Sequence, residues 1–158
     1  SHALQESRFK HRARSHAGAL GAMQILPRTG HRIAARLGFP RGDFFDDALF
    51  EPGVALRQAA WYLDALRAEF GDAPLLAAAA YNGGPLRVAE HLETVGEVPF
   101  DVMMEEIGAH ETRNYARKIT DHVVRNATLW APDAEREALL RSFLPPPKVP
   151  KPAGELRF

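Results

Sequence analysis

Residues 52–85 read PGVALRQAAWYLDALRAEFGDAPLLAAAAYNGGP. Leu56, Ala59, Ala60, Leu63, Leu66 and Phe70 recur there at spacings of three and four, which predicts a helix over 52–70 with these residues on one face. Pro52 suits the first turn, and Gly71 follows the last residue as a stop. Asp72 and Pro74 then open a second helix, Leu75 to Tyr81, whose residues are nearly all apolar. A helix apolar on every side is expected at the buried centre of its domain. Asn82-Gly83-Gly84-Pro85 breaks it sharply.

The same pattern extends in both directions. Downstream, helices are predicted over 85–95, 112–129 and 133–143, with a short segment from Val102 to Ile107. Upstream, Ala3 to Phe9 reads as a helix end, residues 10–18 as a polar turn, and Ala19 to Leu26 as a short apolar helix stopped by Pro27. Thr29 is the expected N-cap of a helix reaching Leu37, with Gly38 ending it. Residues 39–51 form a loop carrying Phe44, Phe45, Leu49 and Phe50. Neither a convincing period of two nor an internal repeat occurs, so the fold class is all-α. The helical domain is assigned to residues 1–144. Beyond Leu144, PPPKVPKPAGELRF holds five prolines and is expected to be an extended tail, 145–158. A sharper alternative folds Leu156 and Phe158 back onto the domain.

Composition removes several function classes. The 158 residues suit one compact domain, with 46% hydrophobic and 25% charged residues. Twenty basic and twenty acidic residues cancel, so net charge gives no case for nucleic acid as a partner. Arg8, Lys10, Arg12 and Arg14 make a local basic edge, read at this level as a solvated face. With no cysteine, disulfides and thiol chemistry are excluded. No stretch approaches the roughly 20 apolar residues of a membrane span, and no secretory leader is visible. The phosphate loop, dinucleotide fingerprint, HExxH and nucleophile-elbow serine are all missing. Seven histidines are scattered without ligand spacing. No metal or cofactor is expected.

Polar groups beside small or apolar neighbours remain in four segments: Gln5 to Phe9, Ser15 to Pro27, Ala79 to Pro85 and His110 to Tyr115. Glu6 lies near Ala3, Leu4 and Phe9; facing the core it would be a desolvated acid able to protonate a leaving oxygen, and facing solvent a partner for Arg8 or Lys10. Gln24 and Asn82 suit the amides and hydroxyls of a sugar, or helix capping. Tyr81 and Tyr115 suit a saccharide platform, or the core. Glu111 is comfortable at a helix N-terminus in any case.

Taken together, these segments resemble the catalytic domain of soluble lytic murein transglycosylases, which share the goose-type lysozyme fold. Glu6-Ser7 matches the family's E-S dipeptide, and Ser15 stands nine residues after Glu6. Gly18-Ala19-Leu20-Gly21-Ala22-Met23-Gln24-Ile25-Leu26-Pro27 matches G-A-x-G-x-M-Q-[IL]-x-P. Tyr81-Asn82-Gly83-Gly84 matches A-Y-N-x-G with its preceding alanine, and Glu111-Thr112-Arg113-Asn114-Tyr115 matches E-T-R-x-Y. The likeness covers about residues 3–130. Gly83-Gly84 replaces the more usual Ala-Gly, and only five residues precede Glu6 where the family has a longer first helix. Two expectations follow, a fragment of a longer chain with an additional upstream helical domain or a short dedicated enzyme.

The resemblance implies an enzyme that cuts peptidoglycan strands between N-acetylmuramic acid and N-acetylglucosamine, leaving 1,6-anhydro ends. It implies Glu6 as the acid and then the base, with Ser15 and Gln24 positioning the N-acetyl region and Glu6. Met23 would pack under the sugar or under Glu6, while Tyr81, Asn82, Glu111 and Tyr115 would contact the glycan. A periplasmic or cell-envelope location follows from that substrate. The competing expectations are a goose-type hydrolase using Glu111 to deliver water, a peptidoglycan-binding module without turnover, and a purely structural helical domain.

Overall fold

The computed structural model describes every residue except 97, 109, 145–148, 155, 157 and 158. Among the described residues there are α-helices, one 3₁₀ turn and two isolated β-bridges, but no strand. The all-α class is thus observed. The helices are α1 (His2–Ser7), α2 (Pro27–Leu37), α3 (Pro52–Glu69), α4 (Pro74–Gly83), α5 (Pro85–Thr94), α6 (Phe100–Glu106), α7 (His110–Trp130) and α8 (Asp133–Ser142). They group into two compact units, His2–Asp64 and the residues from Ala65 onward.

The first unit holds α1, a long loop, α2 and most of α3. Its loop departs from the sequence expectation. Ala19 to Leu26 is not helical; it is a tight hairpin-like turn in which Leu20 bridges to both Arg14 and Ile25. Gly18, Gly21 and Gln24 all take positive φ there, which a continuous helix forbids. Gly21 is obligatory for a second reason, because a Cβ at that position would sit 1.9 Å from the Leu49 carbonyl oxygen. Helix α2 begins on Pro27 rather than after Thr29 and ends on Gly38 in the left-handed region (φ 60°). Its buried residues are Gly30, Ile33 and Ala34. Gly30 lies against Phe44 and Leu49, and His31 bonds to Asp46 at 2.9 Å, so α2 is tied to the 3₁₀ turn Asp46–Phe50.

Helix α3 spans the predicted residues, but its buried side differs from the apolar stripe. Ala55, Gln58, Ala59, Tyr62, Leu66 and Glu69 are buried, while Leu56 and Ala60 are exposed. Two of these buried positions are polar, so hydrophobicity alone shifts the inferred face. Gln58 is wholly buried, and its amide meets no hydrogen-bond partner among the described residues.

In the second unit α4 packs against both α5 and α7. Leu76 through Ala80 are buried, as expected of a central apolar helix. Here α4 continues through Asn82 and Gly83, and the chain breaks at Gly84 (φ 89°). The C-terminal segment returns to this unit. The buried Glu69 carboxylate accepts the backbone N–H groups of Gly154 (2.6 Å) and Leu156 (2.9 Å), and the Glu69 carbonyl accepts that of Ala153 (2.9 Å). Leu156 is buried, as the fold-back alternative requires; Phe158, its other residue, lies outside the described residues.

Candidate active site

Glu6 stands at the last turn of α1 and is half-buried. The helix ends just after it because Arg8 and Phe9 both adopt left-handed backbone (φ 53° and 63°). The Arg8 N–H bonds to the Leu4 carbonyl and the Phe9 N–H to the Ala3 carbonyl, closing the turn. Adjacent Ser7 donates its hydroxyl to the Ala22 carbonyl at 2.8 Å. This bond ties the residue next to Glu6 directly to the residue preceding Met23 and Gln24.

Gln24 holds a left-handed conformation (φ 48°), a strained choice for a residue with a side chain. Among the described residues, four non-glycines have positive φ, and three of them, Arg8, Phe9 and Gln24, fall in this region. The Gln24 Nε2 donates to the carbonyls of Gly21 (2.9 Å) and Ala13 (3.3 Å). Both partners are acceptors, so the amide nitrogen faces the loop and Oε1 remains the group able to accept from a ligand. Ser15 closes the neighbouring turn, its Oγ accepting the Ala19 N–H at 3.0 Å while keeping a hydroxyl hydrogen to donate. Met23 is buried, 4% exposed, so its side chain belongs to the packing beneath this loop. The first unit thus brings Glu6, Ser15, Met23 and Gln24 onto one hydrogen-bonded scaffold.

The second unit assembles the other predicted residues. Tyr81 and Asn82 lie in the last turn of α4, half-buried, and Glu111 in the first turn of α7, exposed. Thr112 links them, its Oγ1 donating to the Asn82 Oδ1 at 3.2 Å. The contact is close because residue 83 is glycine: a Cβ there would lie 2.9 Å from the Thr112 Oγ1. Tyr115, 5% exposed, sits in the core, so the core alternative describes most of its ring. Ser7 and Thr112 carry these linkages, yet neither stood among the expected site residues. Each is quoted within a motif, but a small hydroxyl beside a conspicuous acid or amide gives no sign of its partner across the chain.

Among the described residues no group of three His, Cys, Asp or Glu is placed to hold a metal ion, and no helix is long and apolar enough to cross a membrane. The four motif segments present carboxyl groups, hydroxyls and amides.

Comparison with known proteins agrees with the motif pattern. The sequence model of the transglycosylase SLT domain matches residues 3–104. The chain is 33% identical over 120 residues to the soluble lytic murein transglycosylase of Salmonella typhimurium, covering 74% of this chain and 18% of that protein. It is 37% identical over 120 residues to the peptidoglycan transglycosylase gp16 of Escherichia phage T7, covering 75% of this chain and 8% of that protein. The chain therefore spans about a fifth or less of these relatives. Among solved structures, it resembles an inactive Glu-to-Gln mutant of the lytic transglycosylase Slt of Pseudomonas aeruginosa, with TM-score 0.73 and 35% identity over 84% of this chain and 21% of that one. It also resembles the 70-kDa soluble lytic transglycosylase in complex with bulgecin A, with TM-score 0.70 and 30% identity over 75% of this chain and 19% of that one.

Proposed function

The chain belongs to the transglycosylase SLT domain family, and from that membership we propose that it is a lytic transglycosylase cleaving the β-1,4 bond between N-acetylmuramic acid and N-acetylglucosamine in peptidoglycan. The observation that carries this reading is the Ser7–Ala22 bond, which holds the Glu6 turn against the Met23-Gln24 loop. Glu6 is the acid next to Ser7 in this turn, and we assign the acid chemistry at this scaffold to it.

Most glycosidases divide the work between two carboxylates, but substrates can supply the second function themselves. In the proposed reaction the Glu6 carboxyl donates its proton to the glycosidic oxygen as the bond to the muramyl anomeric carbon breaks. The substrate's own N-acetyl group stabilises the charge left on that carbon. Ionised Glu6 then takes the proton of the muramyl 6-hydroxyl, whose oxygen bonds to the anomeric carbon. The products are a free hydroxyl on the leaving sugar and a 1,6-anhydro end, with Glu6 reprotonated and no water consumed. Gln24, through Oε1, and Ser15, through its hydroxyl hydrogen, would orient the N-acetyl region. Met23 supports that loop from beneath. Tyr81, Asn82, Glu111 and Tyr115 are assigned to glycan contact by their motif positions.

The relative whose Glu-to-Gln mutant is described as inactive supports an essential glutamate in this family's reaction. We assign catalysis to residues 1–144, with 145–158 as an extended Pro-rich segment, and the site of action to the periplasm or cell envelope, where the substrate lies. The test is Glu6→Gln, which keeps shape and removes the proton. The variant should fold normally by circular dichroism and lose at least nine tenths of turnover on purified peptidoglycan. Retention of more than about a tenth of wild-type turnover would remove Glu6 from this role, since a positioned acid contributes on the order of a hundredfold or more.

A further inference from the structure

The chain is neutral as a whole, but its charge is segregated. Between Glu6 and Asp43 there are eight Lys and Arg residues and no Asp or Glu. All eight are exposed. Four of them, Arg8, Lys10, Arg12 and Arg14, lie within seven residues of loop, and His11 and His16 lie among or beside them. This loop is the strand of chain that runs from Glu6 to Ser15. Within it, Ala13 accepts hydrogen bonds from the Gln24 amide (3.3 Å) and the Gly21 N–H (2.9 Å), so Arg12 and Arg14 flank a residue that touches Gln24. Arg14 is partly spent on packing, its guanidinium 5.7 Å from the centre of the Phe50 ring. Arg8, Lys10 and Arg12 make no ion pair with a described residue.

The next element repeats the pattern. Arg28, Arg32 and Arg36 stand one turn apart on the exposed side of α2. Like charges at that spacing oppose helix formation, and Arg28 in the first turn also opposes the helix dipole. Arg36, in the last turn, favours that dipole.

We propose that Arg8, Lys10 and Arg12 form a cationic rim that receives the carboxylates of the peptide stems carried by the glycan strand. The assignment rests on the transglycosylase reading above. Under that reading Glu6 and Ser15 both contact the glycan, and Arg8 is only two residues from Glu6, roughly 7 Å of backbone at most. The stems hang from the muramyl residue at the bond to be cut, so their carboxylates are the anions nearest this loop. Guanidinium and carboxylate pair in a planar, two-bond geometry, which makes arginine the apt residue for the task. The α2 arginines extend the positive potential that draws such a substrate in.

The test compares native peptidoglycan with the same material whose stem carboxylates have been amidated by carbodiimide in excess ammonium. This treatment removes charge and retains the sugars. The wild-type protein should show kcat/KM about tenfold lower on the amidated substrate, mostly through KM, with the difference shrinking as salt rises. The triple variant Arg8→Gln, Lys10→Gln, Arg12→Gln should cut both substrates at the wild-type rate for the amidated one. A variant that keeps the preference overturns the rim, as does one slowed equally on both substrates, which marks a structural role instead. No cleavage of either substrate by the wild type overturns the transglycosylase reading; cosedimentation with the two insoluble substrates then reads the rim separately, and equal pelleting overturns it. Tighter retention of the wild type on duplex DNA or anionic lipid vesicles than on native peptidoglycan, at one ionic strength, overturns the assignment to stems.

Discussion

The hydroxyl of Ser7 donates to the carbonyl of Ala22 across fifteen residues of chain, at 2.8 Å. It joins the helix turn that carries Glu6 to the left-handed turn that carries Gln24. Ser7→Ala removes the bond and leaves the Ala22 carbonyl without that donor. The expected cost is about 1 kcal/mol of stability. Turnover on peptidoglycan should fall more than this suggests, by roughly tenfold to a hundredfold, because small displacements of an acid from its leaving group are expensive. Thermal denaturation and kcat measured on one preparation check both figures. Unchanged kcat with lowered Tm would make the bond purely structural.

A second linkage sits in the other unit, where Thr112 donates to Asn82 next to Gly83. Gly83→Ala brings a methyl to 2.9 Å from the Thr112 Oγ1 and should cost about 1–3 kcal/mol through overpacking. Thr112→Val keeps the volume and deletes the donor, at about 1 kcal/mol. Chemical denaturation of the two variants and of the double variant measures their coupling. Simple additivity would contradict the contact, since touching residues do not act independently.

Glu69 predicts the behaviour of the C-terminal segment. Its buried carboxylate accepts two backbone N–H groups, from Gly154 and Leu156. An amide nitrogen in place of one oxygen faces a donor instead of accepting from it. Glu69→Gln should therefore lower stability by about 2–3 kcal/mol and open the segment after residue 149 to limited proteolysis. Wild-type resistance in the variant would mean that other contacts hold the segment.

Tyr62, 6% exposed, has its phenol pushed up to about 12 by burial. Its folded pKa lies above the unfolded value, so the contribution is fully present below about pH 10 and is lost as pH rises from 10 towards 12. The loss amounts to roughly 2–3 kcal/mol across that window. Tyr62→Phe should show a shallower alkaline decline in denaturant midpoints than wild type. Identical slopes would place the alkaline transition on other groups.

Much of this architecture is legible in the sequence because its signals are local. Gly38, Pro52, Gly71 and Pro85 mark helix ends by backbone geometry alone, and the run from Leu76 to Ala80 announces a buried helix, whereas Pro27, read as a stop, opens α2 instead. The loop from Ala19 to Leu26 misleads because its residues are good helix formers, while the positive φ of Gly18, Gly21 and Gln24 is imposed by tertiary contacts such as that of Gly21 with Leu49. The α3 face misleads for a related reason, since Gln58 and Glu69 are buried polar groups that a hydrophobic pattern sends to solvent. Motif spacing picks out Glu6, Ser15 and Gln24 in the first unit and Asn82 and Glu111 in the second as candidate positions. The groups that hold them, Ser7 and Thr112, bond across 15 and 30 residues of chain, and such pairings leave no periodic trace.

The most direct test of the central claim is mass spectrometry of the soluble fragments released from purified peptidoglycan. Internal attack by the muramyl 6-hydroxyl predicts fragments with 1,6-anhydro ends, lighter by one water than reducing ends, and their loss in the Glu6→Gln variant. Reducing ends would contradict the account: water would then be the attacking group, and Glu6 as sole acid and base would give way to a hydrolytic scheme with a second carboxylate.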